Sequence, residues 1–399
     1  MIESSIFKKA AENDRDFITG TVIELVKTPS LSRREERVAR FLEKEFKRCG
    51  ADEVIIDGLG NVIARLGSTG PVIAFDGHMD TVDIGQREHW ENDPYSGLIK
   101  NGLIHGRGAA DQKAGLAAML TALKILKDHC DSLPFTLFFV ATVQEEECDG
   151  LNWQYIIKED KIIPDLVVLT EPTNGRICRG QRGRMEIELV VKGVSCHGSA
   201  PQRGDNAIYK LNPIITALEK LDGQLIEDEF LGKGSLAVTR TRSEAPSLNA
   251  IPDLAAVYID RRLTKGETPE VALNQLKGLV EIQVAGAKID IPVYEEPSWR
   301  GTTYATTKTY PAWALDESHH LIDYASKCHK KLFGKSPKIG KWEFSTNGVA
   351  TMGMYQIPTF GYGPGDEKQA HAPNESVAID EIIKAAAFYA YFPWTVTEI

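Results

Sequence analysis

With 399 residues, 42% of them apolar, the chain is too long for one ordinary hydrophobic core and suits about two or three folded domains. Its 46 basic and 56 acidic side chains leave a formal net charge of −10, which argues against nucleic acid and anionic membrane as partners, since both select a basic surface. No run reaches the roughly 18 apolar residues of a membrane span, the first residues lack the apolar core of a signal peptide, and six cysteines without a CxxC pair fit reduced thiols, so a cytoplasmic protein is expected.

The first forty-odd residues read as two helices. Phe17, Ile18, Leu25 and Val26 fall near helical spacing until Pro29 and Ser30 break the run. Ser32 and Glu35 predict a capping box for a second helix carrying Val38, Phe41, Leu42 and Phe46 and ending at Gly50. Short strands are expected at 54–56, 62–66 and 72–75. The last runs into GHMDTVD, residues 77–83, where His78 and Asp80 are one residue apart and so leave an extended backbone on one face. Taken alone this pair is most simply a surface turn; in company with other ligands it is a metal site. GRGAADQKAG then puts Asp111 just ahead of a helix with Leu116, Met119, Leu120, Leu123 and Leu126 on one stripe. The apolar runs 135–142 and 166–169 read as buried strands that end in QEEECDG and TEPT. Strands alternating with helices predict an α/β domain, a largely parallel central sheet flanked by helices, with functional groups at the strand C-termini.

From Arg184 the pattern changes. Strand 185–192, helix 206–221, strands 235–241 and 254–263, helix 269–280 and strand 288–294 make a β-α-β-β-α-β order of the ferredoxin-like α+β kind. Helix 315–332, strand 357–361 and helix 379–391 resume the first pattern. The expected organisation is therefore a discontinuous catalytic domain, 1–183 with 297–399, and an inserted lid and dimerisation domain, 184–296.

The polar groups at the first domain's strand ends are His78, Asp80, Asp111, Glu145, Glu146, Glu171 and, late in the chain, His371. A mixed imidazole and carboxylate set without thiolates suits two zinc ions, or Mn²⁺ or Co²⁺, better than Mg²⁺ or an iron-sulfur centre. Two ions about 3.5–4 Å apart need one bridging carboxylate. Adjacent side chains diverge, so of Glu145 and Glu146 one can ligate while the other acts as general base. An isolated acidic run of this kind would be a solvated loop; here it follows a buried strand and stands among other ligand types.

GHMDTVD, GRGAADQKAG, QEEECDG, TEPT, RGxRG (179–183), SCHGSAP, NAIP and GPGDEKQAHAPNE occur in an order that resembles the dinuclear-zinc aminoacylase and carboxypeptidase G family, which includes acetylornithine deacetylase and succinyl-diaminopimelate desuccinylase. The resemblance covers nearly the whole chain. It implies that Asp111 bridges two metals, that His78 and Glu171 complete one site and Glu146 and His371 the other, that Glu145 is the general base and that Asp80 orients His78. It also implies a cis peptide between Asp111 and Gln112. His197 of SCHGSAP would steady the oxyanion in a partner subunit's active site, making the homodimer a catalytic requirement. Asn249 and Arg262 would hold the substrate's carboxylate or acyl oxygen, with Asp260 as a surface partner in the blander reading of Arg262. Gly363 and Gly365 could let main-chain N–H groups approach the same carboxylate. Gln144 and Asn347 stand where this family often has Asp, and Asn347 is expected beside the substrate pocket, where a lost charge changes the head group accepted. VQEEECDG with STNG looks most like a bacterial subgroup linked to selenium-dependent metabolism. The implied activity is amide hydrolysis of a small N-acyl or N-carbamoyl amino acid. A dipeptidase or aminopeptidase on the same site is the first alternative and a non-catalytic, metal-dependent binding protein the second.

Overall fold

The structure, a computed structural model, describes residues 2–397. Its larger sheet has nine strands. Across it they run Glu53–Ile56, Val62–Leu66, Thr136–Thr142, Val72–His78, Leu166–Leu169, Thr359–Gly361, Ile177–Gln181 and Trp313–Ala314, with Ile339–Trp342 also paired to Ile177–Gln181. The four central strands, 136–142, 72–78, 166–169 and 359–361, are mutually parallel, and antiparallel strands close both sides. Parallel neighbours end on the same edge, so the residues that follow Gly77, Thr142, Leu169 and Gly361 meet at one rim. Helix Ala114–His129, buried along most of its length, and helix Ile379–Thr397 pack together against this sheet. Phe75, Phe139 and Tyr389 join their rings across that layer.

The second sheet is antiparallel, in the order Ser235–Glu244, Leu254–Leu263, Gly183–Lys192, Lys288–Asp290. Helix Ala207–Asp222 and the helices after Pro269 cover one face around a separate core of Met185, Ile187, Leu189, Ile214, Leu218 and Ile259. The strand order, second-third-first-fourth, is that of a ferredoxin-like layer. Among the described residues no helix is long and apolar enough to cross a membrane.

Several local expectations are corrected. The N-terminal region forms three helices, Ser4–Asn13, Arg15–Lys27 and Glu36–Arg48. The capping box does not form: Ser32 and Glu35 turn inward to other partners, and the third helix starts without a side-chain cap. The expected helix 269–280 breaks at Gly278 into Pro269–Lys277 and Val280–Ala285. The expected strand 288–294 is cut at Pro292, which has no N–H to donate, and its second half, Val293–Tyr294, pairs instead with Thr306–Thr307. The helix expected from 315 begins only at His320, after a turn in which Asp316 accepts from the Ser318 amide.

Candidate metal centre

His78 ends its strand, and its Nδ1–H donates to the main-chain carbonyl of Asp80 at 2.8 Å. That contact fixes the ring and leaves Nε2 facing Asp111 Oδ1 at 3.0 Å, with Glu171 Oε1 at 3.7 Å and Glu145 Oε2 at 4.0 Å. The other oxygen of Asp111, Oδ2, faces His371 Nε2 at 3.6 Å, and His371 Nε2 lies 2.8 Å from Glu146 Oε2. Asp111 thus stands between two imidazole and carboxylate groupings. The peptide between Asp111 and Gln112 is cis.

The two glutamates diverge as their adjacency requires. Glu146 Oε1 accepts from the Val82 amide and Oε2 meets His371, whereas Glu145 points to the His78 and Glu171 side with a buried Oε1 that has no partner among the described residues. Glu171 Oε2 is buried without a partner too. Two converging groups of three, His78 with Glu145 and Glu171, and His78 with Asp111 and Glu146, bring their ligand atoms within 4.8 Å of one another. Buried acceptors left unpaired beside imidazole nitrogens are costly unless something positive joins them, so the donor set fits divalent cations.

The electrostatics of the metal-free chain agree. Burial raises Glu145 and Glu171 well above the usual carboxylate range, and the neighbouring acids add to it. Burial, then the charge of Asp111, raises Glu146. Burial opposes protonation of His78, but the hydrogen bond to Asp111 and the charges of Glu171 and Glu145 outweigh it and hold the ring well above its ordinary value. The hydrogen bond to Glu146 raises His371. Burial also opposes ionisation of Asp111, yet His78 and the other nearby cations hold it below its ordinary value.

Asp80 acts differently from expectation. Its carbonyl, not its carboxylate, holds His78, the nearest carboxylate oxygen being 3.7 Å from Nδ1. The carboxylate instead accepts from Ser32 Oγ at 2.6 Å and from the amides of Glu145 and Glu146 at 3.2 and 3.1 Å, so it sets the glutamate turn.

Asn347, Gly363 and Gly365 also depart from expectation. Asn347 is fully buried beneath the site: its Nδ2 donates to Asp76 and Thr142, its Oδ1 accepts from Gly150, and it does not line the cavity over the ligands. Burial already pushes Asp76 up to about 6, and an amide donor relieves it where a second acid would not. Asn347→Asp is therefore expected to cost at least ~2 kcal/mol at neutral pH, the penalty of setting a second buried acceptor against Asp76. A carboxyl raised by burial destabilises increasingly as pH rises past its unfolded value, so the penalty should shrink toward pH 4; denaturant unfolding at the two pH values checks this. The N–H of Gly363 faces Thr173 Oγ1, and that of Gly365 donates to Glu381, so neither is free for a substrate carboxylate. Gly363 is needed for close packing: a Cβ there would lie 2.1 Å from the Thr170 carbonyl oxygen and 2.3 Å from that of Glu171. His197 and Asn249 lie together on the exposed surface of the unit built on the second sheet, where the Gly198 amide donates to the Asn249 carbonyl and neither lines this chain's cavity, as expected of a histidine that would serve a partner's site.

Arg262 does line the cavity, while its guanidinium forks onto Asp260 at 2.7 and 3.0 Å. Sequence reasoning missed Arg184, which shares the cavity wall and reaches Asp149 at 3.1 Å. It also missed Glu375, the last residue of GPGDEKQAHAPNE. Fully buried, Glu375 accepts from the amides of Ala110 and Asp111 at 2.7 and 3.0 Å and from Arg107 at 2.7 Å. Arg107 in turn donates to the Ala372 carbonyl at 3.3 Å, so one ion pair braces both loops that carry ligands. A lone acid after Pro-Asn gave no sequence signal for this.

A profile of the peptidase family M20/M25/M40 matches residues 74–394. The chain is 46% identical to the uncharacterised protein YgeY of Escherichia coli K12, over 100% of both chains. It is 26% identical to a succinyl-diaminopimelate desuccinylase of Hahella chejuensis, over 92% of this chain and 94% of that one. The solved structure of Bacillus subtilis YXEP, described as a dinuclear metal binding peptidase, superposes with a TM-score of 0.71 at 16% identity, over 97% and 99% of the two chains. The chain belongs to the peptidase family M20/M25/M40 and is a metal-dependent hydrolase of that family.

Proposed function

We propose that the chain hydrolyses the amide bond of a small N-acyl or N-carbamoyl amino acid in the cytoplasm as a homodimer, using two zinc ions. The observation that carries this is Asp111, with one oxygen toward His78 and the other toward His371. His78 and Glu171 would hold one ion and Glu146 and His371 the other, with Asp111 shared between them; two imidazoles among carboxylates favour zinc over magnesium, with cobalt or manganese as substitutes. When bound, the pair supplies Lewis acidity and a water acidic enough to attack near neutral pH. Glu145, with its unpartnered oxygen, takes the water's proton and returns it to the leaving amine. Asp80 holds the amides of Glu145 and Glu146 in place, and the carboxylate of the substrate pairs with Arg262 and Arg184 on the cavity wall. The cavity of about 310 Å³ suits a small substrate. Residues 184–296 form the inserted unit, and its exposed His197 and Asn249 serve the active site of a second copy, where His197 steadies the oxyanion.

A dipeptidase or aminopeptidase reading has its own support. Asp149 and Glu367 line the same cavity, each with one buried carboxylate oxygen unpartnered among the described residues, and a substrate's free ammonium would satisfy them. The desuccinylase relative favours the first reading and the structural neighbour described as a peptidase the second. The test is amine release from N-acetyl, N-succinyl and N-carbamoyl amino acids, set beside dipeptides of the same residues, with zinc-reconstituted protein. Faster cleavage of the acylated series is expected. Faster dipeptide cleavage selects the alternative, and full metal occupancy without turnover would sink both in favour of a binding protein.

The raised groups carry a further expectation. Metal ligation needs Glu146, Glu171, His78 and His371 deprotonated, and the metal-free chain holds all four above their ordinary values. Zinc binding should therefore release protons, and its affinity should fall as pH drops. Calorimetry in buffers of different ionisation enthalpy reads the release; a buffer-independent heat would contradict it.

A further inference from the structure

The glutamate turn is gripped from both chain crossings between the two sheets. Gln144, fully buried at φ 56°, precedes Glu145. Its side-chain Nε2 donates to the Tyr294 hydroxyl at 2.8 Å and to the Glu296 carbonyl at 3.3 Å. Tyr294 and Glu296 lie on the segment that leaves the inserted unit after Lys288–Asp290. The Tyr294 hydroxyl donates onward to Glu147 in the same turn, and Arg33 bridges Glu147 and Glu296 at 3.2 and 2.6 Å. On the entering strand, Arg184 reaches Asp149 at 3.1 Å and lies over the Tyr310 ring, whose hydroxyl donates to Cys148 Sγ. Lys308 ties the two crossings, pairing with Glu186 at 2.9 Å while facing the Tyr294 ring. From the catalytic side, the amides of Gln144, Glu145 and Glu146 go to Glu35 and Asp80 alone. Rotation of the inserted sheet against the larger one must therefore pull on this turn, and the shortest connection to Glu145 is Gln144.

We infer that Gln144 is a positioning residue that, through Tyr294, couples the orientation of the inserted unit to the placement of Glu145. This rests on the reading of Glu145 as base. An aspartate at 144 would have no N–H to give Tyr294 or the Glu296 carbonyl, so the coupling depends on the amide this chain carries. Substrate contacts made by the inserted unit, such as those of Arg262, then reach the base through the strand ladder that pairs Arg262 with Arg184, through Lys308 between Glu186 and the Tyr294 ring, and through the Gln144 amide.

The test uses the full zinc-loaded chain with Tyr294→Phe, which removes one hydroxyl, Gln144→Met, which keeps the shape without the amide, and the double variant. In hydrogen exchange, the peptide spanning 143–149 is expected to exchange faster in both single variants and no faster in the double, with the 136–142 strand unchanged. With the best-cleaved compound of the panel, kcat should fall about tenfold in each variant, KM and zinc content should hold, and the double should match the singles. Additive losses, a change in KM alone, or unchanged exchange across 143–149 would overturn the coupling. The base reading fails separately, through retained turnover in a Glu145 variant, and the exchange arm decides the coupling in that case or if no panel compound is cleaved.

Discussion

Glu145→Gln is expected to lower kcat by about 10²–10⁴ while zinc content stays at the wild-type level, because general base catalysis is worth that range and the variant keeps the side chain's shape. The expectation comes from the divergence of the glutamate pair. Glu146 is engaged at both oxygens, by the Val82 amide and by His371, and is placed to ligate. Glu145 has one buried oxygen without a partner among the described residues and takes no hydrogen bond from His371. The mirror substitution, Glu146→Gln, should instead lower zinc affinity first. Metal analysis after dialysis against a weak chelator, with single-turnover rates on zinc-saturated protein, separates the two. If Glu145→Gln lost a metal equivalent and kept its rate when resaturated, Glu145 would be a ligand and the base would lie elsewhere.

Glu375→Ala is expected to destabilise the metal-free fold by ~3–5 kcal/mol, since it strands Arg107, a fully buried cation, without its partner. Its effect should extend to the metals, because the same carboxylate receives the amides of Ala110 and Asp111, and Arg107 steadies the loop before Glu375 through the Ala372 carbonyl. Zinc affinity should fall by at least 10-fold, the scale seen when groups that orient ligands are lost. Urea unfolding of the metal-free protein and competition with a chromogenic chelator measure the two effects. Loss of stability with unchanged zinc affinity would make Glu375 a folding residue only. Burial pushes this carboxyl up to about 7, above its ordinary value of 4.5, so the wild-type fold takes up a proton before the unfolded chain does and gains stability as pH falls between these values. The variant lacks that gain, and its deficit should widen on acidification.

His78, Asp111, Glu145, Glu146 and Glu171 were legible in the sequence because each directly follows or precedes a strongly patterned element. A short branched apolar run ending in a polar group marks a strand C-terminus, and parallel strands bring such ends to one rim whatever the loops do. His371 entered the candidate set by residue type, but its pairing with Glu146 came only from the resemblance, since its loop has no pattern of its own and it sits at φ 60° beside an exposed turn. The β-α-β-β-α-β order of the inserted unit was readable for the same reason as the first sheet: alternation and helical spacing are local. The breaks at Gly278 and Pro292 were signalled by residue type, but the new partner of Val293–Tyr294 was not, because strand pairing is a contact between distant segments.

The residues misread share one feature, that their partners are far away in the chain. Ser32 and Glu35 have capping-box spacing, yet a buried Asp80 and the Gln144 amide compete for them and win, since an unmet buried acceptor costs more than a frayed helix start. Gly363 and Gly365 look like an open loop, and only the packing against Thr170 and Glu171 and the bonds to Thr173 and Glu381 show them to be closed. By itself, then, the sequence determined the candidate ligand types and the edge at which they gather, because these follow from local pattern and strand polarity. Tertiary structure alone decided what holds those side chains and the glutamate turn, the Asp80 carbonyl on His78, Glu375 with Arg107 on the Asp111 loop, Tyr294 on Gln144, because buried polar groups must find partners wherever the fold brings them.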